Sequence, residues 1–205
     1  MLSLLILLPL IGGALLFALP EKQVRLWALS ISGLSLLWTA WLFIQYDTAD
    51  LGFQFTETRP WLPELGLNYT LGLDGLGLLM AGLNTFLSWI AIYTTSANVE
   101  RSKLFYALML AVNSAVSGAF LAQNFLLFFI FFEVELVPLY LLISIWGGEK
   151  RGYAATKFLL YTALSGALIL AGGLGMVWLG DAGSFNYEAL TKIDLPVSSQ
   201  VLLLL

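Results

Sequence analysis

Asn124–Trp146 reads NFLLFFIFFEVELVPLYLLISIW, and this stretch decides what kind of protein the chain is. At 1.5 Å per residue, about 20 apolar residues cross the hydrocarbon core of a bilayer, so the segment is long enough to span one as a helix. Two carboxylates, Glu133 and Glu135, stand near its middle. An acidic residue at the centre of a span costs about 2.5–3.5 kcal/mol on insertion scales, so its presence points to a use. Pro138, five residues after Glu133, removes a backbone donor and favours a bend beside the charged turn.

Outward from this stretch the composition agrees. The 205 residues are 60% hydrophobic and only 11% charged, with a mean hydropathy of +0.89. Those values describe a polytopic membrane protein. There is no Cys and no His. Disulfides, thiolate nucleophiles, iron–sulfur or haem ligation and histidine relays are therefore excluded for this chain. No glycine-rich phosphate loop of the Walker or dinucleotide-binding pattern occurs. The net charge of -4 gives no reason to expect nucleic acid. Carboxylates, lysines, hydroxyls and water remain, which is the inventory of an ion or proton path.

Hydrophobic runs predict an all-α integral membrane protein of six spans: about 2–19, 24–46, 76–95, 104–122, 125–146 and 154–179. The first run lacks a basic leader and a small-residue cleavage site, so it reads as a retained span. A seventh run begins near Val197–Val201, and a chain stopping there is expected to be the N-terminal part of a longer single membrane domain. Lys22, Arg25, Arg101, Lys103, Lys150, Arg151 and Lys157 fall on one side of the bilayer, against only Arg59 and Lys192 on the other. This asymmetry places the first side in the cytoplasm or its equivalent and the N-terminus outside. Asp47, Asp50, Glu57, Glu64, Asp181, Glu188 and Asp194 make the outer side acidic.

The outer connection, residues 47–75, alternates Leu67, Tyr69, Leu71 and Leu73 with small or polar residues, the period of a half-buried strand. With the alternating run Phe53–Thr56 and a turn supplied by Arg59–Pro63, it predicts a β-hairpin lying on the outer surface as a cap. Asp74 has the position of a helix N-terminal carboxylate. Asn113, Ser114, Ser117 and Gly118 in the fourth span, and Ser165, Gly166, Gly172, Gly173 and Gly175 in the sixth, read as close helix–helix contacts. Asn113 is in addition a candidate water-wire lining.

Glu133 and Glu135 are two residues apart and so point about 160° away from each other on a helix, which rules out a shared proton in an unbroken helix. Tyr140 and Ser144 continue the Glu133 face, whereas Phe128, Phe131, Leu139, Leu142 and Trp146 surround Glu135. Glu133 is therefore the candidate proton carrier. A carboxyl in low-dielectric surroundings holds a proton when no cation is near and releases it when one approaches. Lys157, in the first turn of the sixth span, either snorkels to the interface or lines a half-channel towards Glu133.

Three motifs carry a resemblance. FEVELVPLY at Phe132–Tyr140, WGG at Trp146–Gly148 with ATKFLLYT at Ala155–Thr162, and LGLDGL at Leu71–Leu76 resemble the antiporter-like subunits of the respiratory complex I family. The likeness is to subunit 4, known as NdhD in cyanobacteria and chloroplasts and NuoM elsewhere, on the photosynthetic side. The resemblance covers essentially the whole chain. It implies a proton-translocating membrane subunit of an NAD(P)H- or ferredoxin:plastoquinone oxidoreductase, NDH-1, in a cyanobacterial thylakoid membrane. Other membrane-arm subunits and the lipid bilayer would be its partners, and plastoquinone and iron–sulfur clusters would lie in other subunits. It also implies that the fifth-span glutamate, here Glu133, pairs with a lysine on a broken seventh helix; no general role carries over to Glu135. Two rivals remain at this stage: a subunit of a multi-subunit sodium/proton antiporter, and a chain that only scaffolds other subunits.

Overall fold

The computed structural model describes residues 1–193 except 51, 97–98 and 181–182, together with residue 196. The seventh apolar run, Asp181 and Asp194 lie outside the described residues. The elements are α1 (Ser3–Leu15), α2 (Glu21–Gln45), β1 (Gln54–Leu62), β2 (Leu67–Leu73), α3 (Gly75–Thr94), α4 (Ser102–Leu121), α5 (Phe125–Val134), α6 (Leu136–Trp146), α7 (Arg151–Leu179) and α8 (Tyr187–Leu190). Five helical segments are long and apolar enough to cross a membrane: α2, α3, α4, α5 continued by α6, and α7. The expected first span is shorter than its apolar run. Its 13-residue α-helix passes into a 3-10 turn at Leu16–Ala18, ahead of Pro20. The last span begins earlier than expected, at Arg151.

Helix α4 lies at the middle of the bundle, packing on α1, α2, α3, α5 and α6, whereas α7 packs chiefly on α6 and α5. The buried core falls into two apolar clusters. One holds Leu2, Leu5, Leu42, Leu71, Leu78, Leu121 and Leu127 towards the outer end. The other holds Leu16, Val24, Ala28, Ile92, Tyr106 and Leu110 towards the basic end. Between them runs a buried polar layer of Ser35, Thr39, Thr85, Asn113, Ser114 and Ser117. Its hydroxyls on α2 and α3 donate to carbonyls of their own helices, as Thr39 Oγ1 does to Ser35 O at 2.9 Å. Other contacts cross between helices, among them Thr85 Oγ1 to Thr39 Oγ1 at 3.4 Å. Ser114 Oγ donates to Ile6 O at 2.6 Å, and Asn84 Nδ2 donates to Asn113 Oδ1 at 3.0 Å and Ser117 Oγ at 2.9 Å. Asn113, on α4, thus faces Asn84 of α3 and not the carboxylates of the fifth span.

The basic residues close helix ends. Lys103 Nζ donates to Phe17 O after α1, Arg25 Nη2 to Tyr93 O in α3, and Arg151 Nη1 to Ile145 O in α6. Cations at C-terminal carbonyls satisfy orphan acceptors and favour the helix dipole. The first, third and fifth spans therefore all end on the basic side, as the charge count requires.

On the opposite side β1 and β2 form the expected antiparallel hairpin. Its turn lies later in the chain than the sequence suggested. Arg59–Leu62 extends β1, and the chain reverses at the 3-10 turn Pro63–Leu65 and at Gly66, whose φ of 67° suits glycine. Pro60 is tolerated because a two-stranded sheet consists only of edges. The hairpin docks on the α4–α5 connection: Gln123 N donates to Thr70 O at 2.8 Å, and Asn124 Nδ2 to Gly66 O at 3.0 Å. Asn124 is also the N-cap of α5, accepting from Leu126 N and Leu127 N, and its amide reaches Asn186 Oδ1 at 2.9 Å. Asp74 caps α3 by accepting from Gly77 N at 2.6 Å.

The hairpin also holds the start of α1. Glu57 accepts from Ser3 Oγ and pairs with the Met1 ammonium, and Tyr69 Oη donates to Ser3 Oγ at 3.0 Å. Burial pushes the Tyr69 phenol above its ordinary 10.0, which keeps it a donor. Burial also works against ionisation of Glu57, but hydrogen bonds from the Met1 ammonium and Ser3 outweigh it and hold the carboxyl below its ordinary 4.5.

Two outcomes are expected. Asn124→Ala removes a cap worth about 0.5–2 kcal/mol and the two outer contacts as well, so its thermal melting in detergent should fall below that of the wild type. The stabilisation from Glu57 is complete above the unfolded-state pKa and is lost as pH falls through the lowered folded value. The protection of β2 amides, taken against their intrinsic exchange rate at each pH, should therefore fall on acidification below pH 4.5 in the wild type. In Glu57→Gln that protection should be low at neutral pH already, with no such step.

Candidate functional site

Glu133 lies in the last turn of α5, and the helix is interrupted immediately after it. Glu135 is the single residue between α5 and α6. Pro138 accounts for the position of the break: a helical residue 138 would donate to the carbonyl of Val134, and proline has no N–H to give. Glu135 keeps helical dihedrals (φ −65°, ψ −26°), and Glu135 N still reaches Phe131 O at 3.2 Å. The chain therefore continues through the membrane with a local defect rather than a reversal.

Four aromatic rings and one carboxyl fix the setting of α5. Phe131 lies on α4 at Gly118, where a Cβ would overlap the ring. Phe125 lies on α7 at Gly173 in the same manner. Phe125, Phe128 and Phe132 form a ladder with centroid separations of 6.5 and 5.9 Å. One and a half turns beyond Phe128, the Glu133 carboxyl points at α7 and occupies the space a side chain on Gly166 would need. Gly166 and Gly173 are seven residues apart, hence on one face of α7, and both are buried while most of that helix is exposed. A glycine seam thus lets α7 close over α5 at two points, one filled by a ring and one by an acid.

Glu133 Oε1 is buried and makes no hydrogen bond among the described residues. A buried acceptor without a partner costs about 1–3 kcal/mol, more if charged, so this group is placed at the expense of stability. Glu135 is half-buried, and its carboxyl makes no ion pair or hydrogen bond among the described residues. Tyr140 is half-buried on α6, and Ser144 Oγ turns back to Leu141 O at 3.2 Å, so it adds no polar link to Glu133.

Lys157 is not brought to Glu133. It is exposed, and its Nζ lies 6.0 and 5.7 Å from the ring centroids of Tyr153 and Tyr161, one helical turn away on either side. Lys157 and Gly166 are nine residues apart, which is about 13 Å along α7 and half a revolution around it. The lysine therefore sits on the face of α7 turned away from the Glu133 seam. The group that sequence reasoning missed is Gly166 as the seat of the carboxyl. Its place in a small-residue stripe was visible, but which helix the stripe faces is a tertiary fact. No group of three or more His, Cys, Asp or Glu that could hold a metal occurs among the described residues.

With this geometry in hand, comparisons with known proteins are informative. Residues 122–205 match the family described as NADH:quinone oxidoreductase/Mrp antiporter, transmembrane. The chain is 44% identical over 98% of its length to NAD(P)H-quinone oxidoreductase chain 4 2 of Thermosynechococcus vestitus. It is 39% identical, over the same share, to the chloroplastic chain 4 of Chlorokybus atmophyticus. It covers 38% and 40% of those proteins, so it spans well under half the length of the curated relatives it matches. Among solved structures, a chain of respiratory complex I from Thermus thermophilus with bound NADH superimposes with a TM-score of 0.87. That match has 31% identity and covers 99% of this chain and 41% of the other.

The two seam glycines of α7 differ from their neighbour Gly172, around which a Cβ would meet nothing within 4 Å. Gly166→Ala is expected to displace the Glu133 carboxyl at an overpacking cost of about 1–3 kcal/mol, and Gly172→Ala to leave stability unchanged. Unfolding of the two variants in detergent against the wild type measures the difference.

Proposed function

We propose that this chain, a homologue of NAD(P)H-quinone oxidoreductase chain 4, works as an antiporter-like, proton-translocating part of the membrane arm of a photosynthetic-type NDH-1 complex. Glu133 is its proton carrier. The observation that carries this reading is the buried, unpartnered Glu133 oxygen, held at a proline-induced helix break and seated on Gly166. A carboxyl without a fixed partner is free to change charge. It takes a proton in its apolar setting and yields it when a cation or water file approaches. The break at Glu135 gives the local backbone a way to adjust as the charge changes, since α6 is tied to α5 by fewer hydrogen bonds there.

In this reading Glu135 is an auxiliary acid at the hinge. Lys157 would serve a half-channel only on the exposed face of α7 that it shares with Tyr153 and Tyr161. The chain is integral to the membrane, and its place in a thylakoid membrane with the N-terminus on the lumenal side is part of the proposal. It is supported by the cation distribution and by the cyanobacterial and chloroplast relatives. Redox chemistry, with its plastoquinone and iron–sulfur clusters, belongs to other subunits of the complex. This chain supplies no Cys or His for a cluster. A second reading, sodium/proton exchange, is favoured only by the breadth of the matched family, whose description includes the Mrp antiporters.

The test is proton translocation coupled to electron transfer in membranes carrying Glu133→Gln or Glu135→Gln within the assembled complex. Glu133→Gln is expected to abolish pumping while assembly persists, and Glu135→Gln to retain most of it. Pumping that survives Glu133→Gln would show that the glutamate is structural. Sodium-dependent exchange without any electron donor would move the assignment to the antiporter reading.

A further inference from the structure

The hairpin and the first two turns of α5 line a second feature, at the outer end of that helix. Arg59, Pro60, Trp61 and Tyr69 from the hairpin and Leu127, Ile130 and Phe131 from α5 line a cavity of about 430 Å³. Its lower wall is wholly apolar and belongs to the first two turns of a membrane-spanning helix, just inside the Asn124 cap. Its rim carries Arg59 and Trp61 of β1, the latter at an irregularity of the strand between Pro60 and Leu62, with Tyr69 paired directly across from Arg59. Trp61 is 51% exposed.

The charge at this rim is uncompensated. Glu57, two residues before Arg59, is already engaged by Met1 and Ser3. The Arg59 guanidinium makes no ion pair or hydrogen bond among the described residues. A cation and an amphipathic aromatic at the outer interface, above an apolar groove that descends along a span, match a molecule with an anionic head and a hydrocarbon tail.

We propose that this groove is a binding site for an anionic phospholipid, its phosphate on Arg59 and one acyl chain along Leu127, Ile130 and Phe131. The bound lipid would fill the space between hairpin and span, and so couple the outer cap to the same helix that carries Glu133. The site does not depend on the function proposed above, because Glu133 is not among its lining residues.

Contact quenching of Trp61 reads this directly. The whole chain is reconstituted in phosphatidylcholine vesicles carrying a minor fraction of brominated phosphatidylglycerol or of brominated phosphatidylcholine. The fluorescence lost in the wild type but not in Trp61→Phe isolates that one indole among the seven tryptophans. Quenching by the anionic lipid is expected at about fivefold lower mole fraction than by the zwitterionic one, the factor a single arginine contributes near a membrane surface. Arg59→Gln should abolish the preference and Arg59→Lys keep it; both change an exposed strand position and leave the fold in place. Equal quenching by the two lipids would mean simple exposure to bilayer and would overturn the site. A preference that survives Arg59→Gln would overturn it too, as would a Trp61 signal that neither lipid quenches, which would place polypeptide over the groove.

Discussion

The structure depends on the way α4 is allowed to sit in the middle of the bundle. A helix surrounded on most sides by other helices inside a bilayer gains nothing from the hydrophobic effect relative to lipid, so close approach and hydrogen bonds must hold it. Ser114 on the Ile6 carbonyl and Asn84 on Asn113 and Ser117 supply those bonds, and Gly118 lets Phe131 of α5 lie flat against the helix. The polar layer sits at mid-depth between two apolar clusters, where water is not available to compete for these groups. Moving α4 would leave buried donors and acceptors unpaired, and this fixes the depth and rotation of the helices around it.

From that hub the constraint passes to α5. Phe131 registers α5 on α4, and Asn124 registers its start on the hairpin and on the loop at Asn186. With the helix pinned at both points, Glu133 has one direction left, towards α7. There a glycine receives it, and no donor does. The placement explains why an acid can be kept at mid-membrane by an otherwise apolar segment. Among the described residues Arg25 Nε, Thr70 Oγ1 and Asn113 Nδ2 are also buried without a partner, but Glu133 Oε1 is the one that sits beside the break between α5 and α6.

The two sides of the membrane are built from different chemistry for the same reason. Helix C-termini on the basic side expose carbonyls, and Lys103, Arg25 and Arg151 answer them. Helix N-termini on the outer side expose N–H groups, and Asp74 and Asn124 answer those. The asymmetry of charge that orients the chain is thus the same asymmetry that closes its helix ends.

The sequence by itself determined the apolar helices, the end of the bundle at which the cations gather and the hairpin, because length, hydropathy and residue period are local properties of the chain. The break at Glu135 was foreshadowed by Pro138, again a local effect of a missing N–H. Even local signals were ambiguous at the hairpin turn, where Gly66, and not Arg59–Pro63, provided the positive φ for the reversal. Which faces meet was decided only by tertiary structure. Gly166 looks no different in sequence from Gly172, yet one seats the carboxyl and the other touches nothing. Lys157 looked able to reach Glu133, but the rotation of α7 imposed by the Gly166 and Gly173 contacts turns it half a revolution away. Helix rotation follows from the sum of many weak packing contacts between distant segments, and no short stretch of sequence contains that sum.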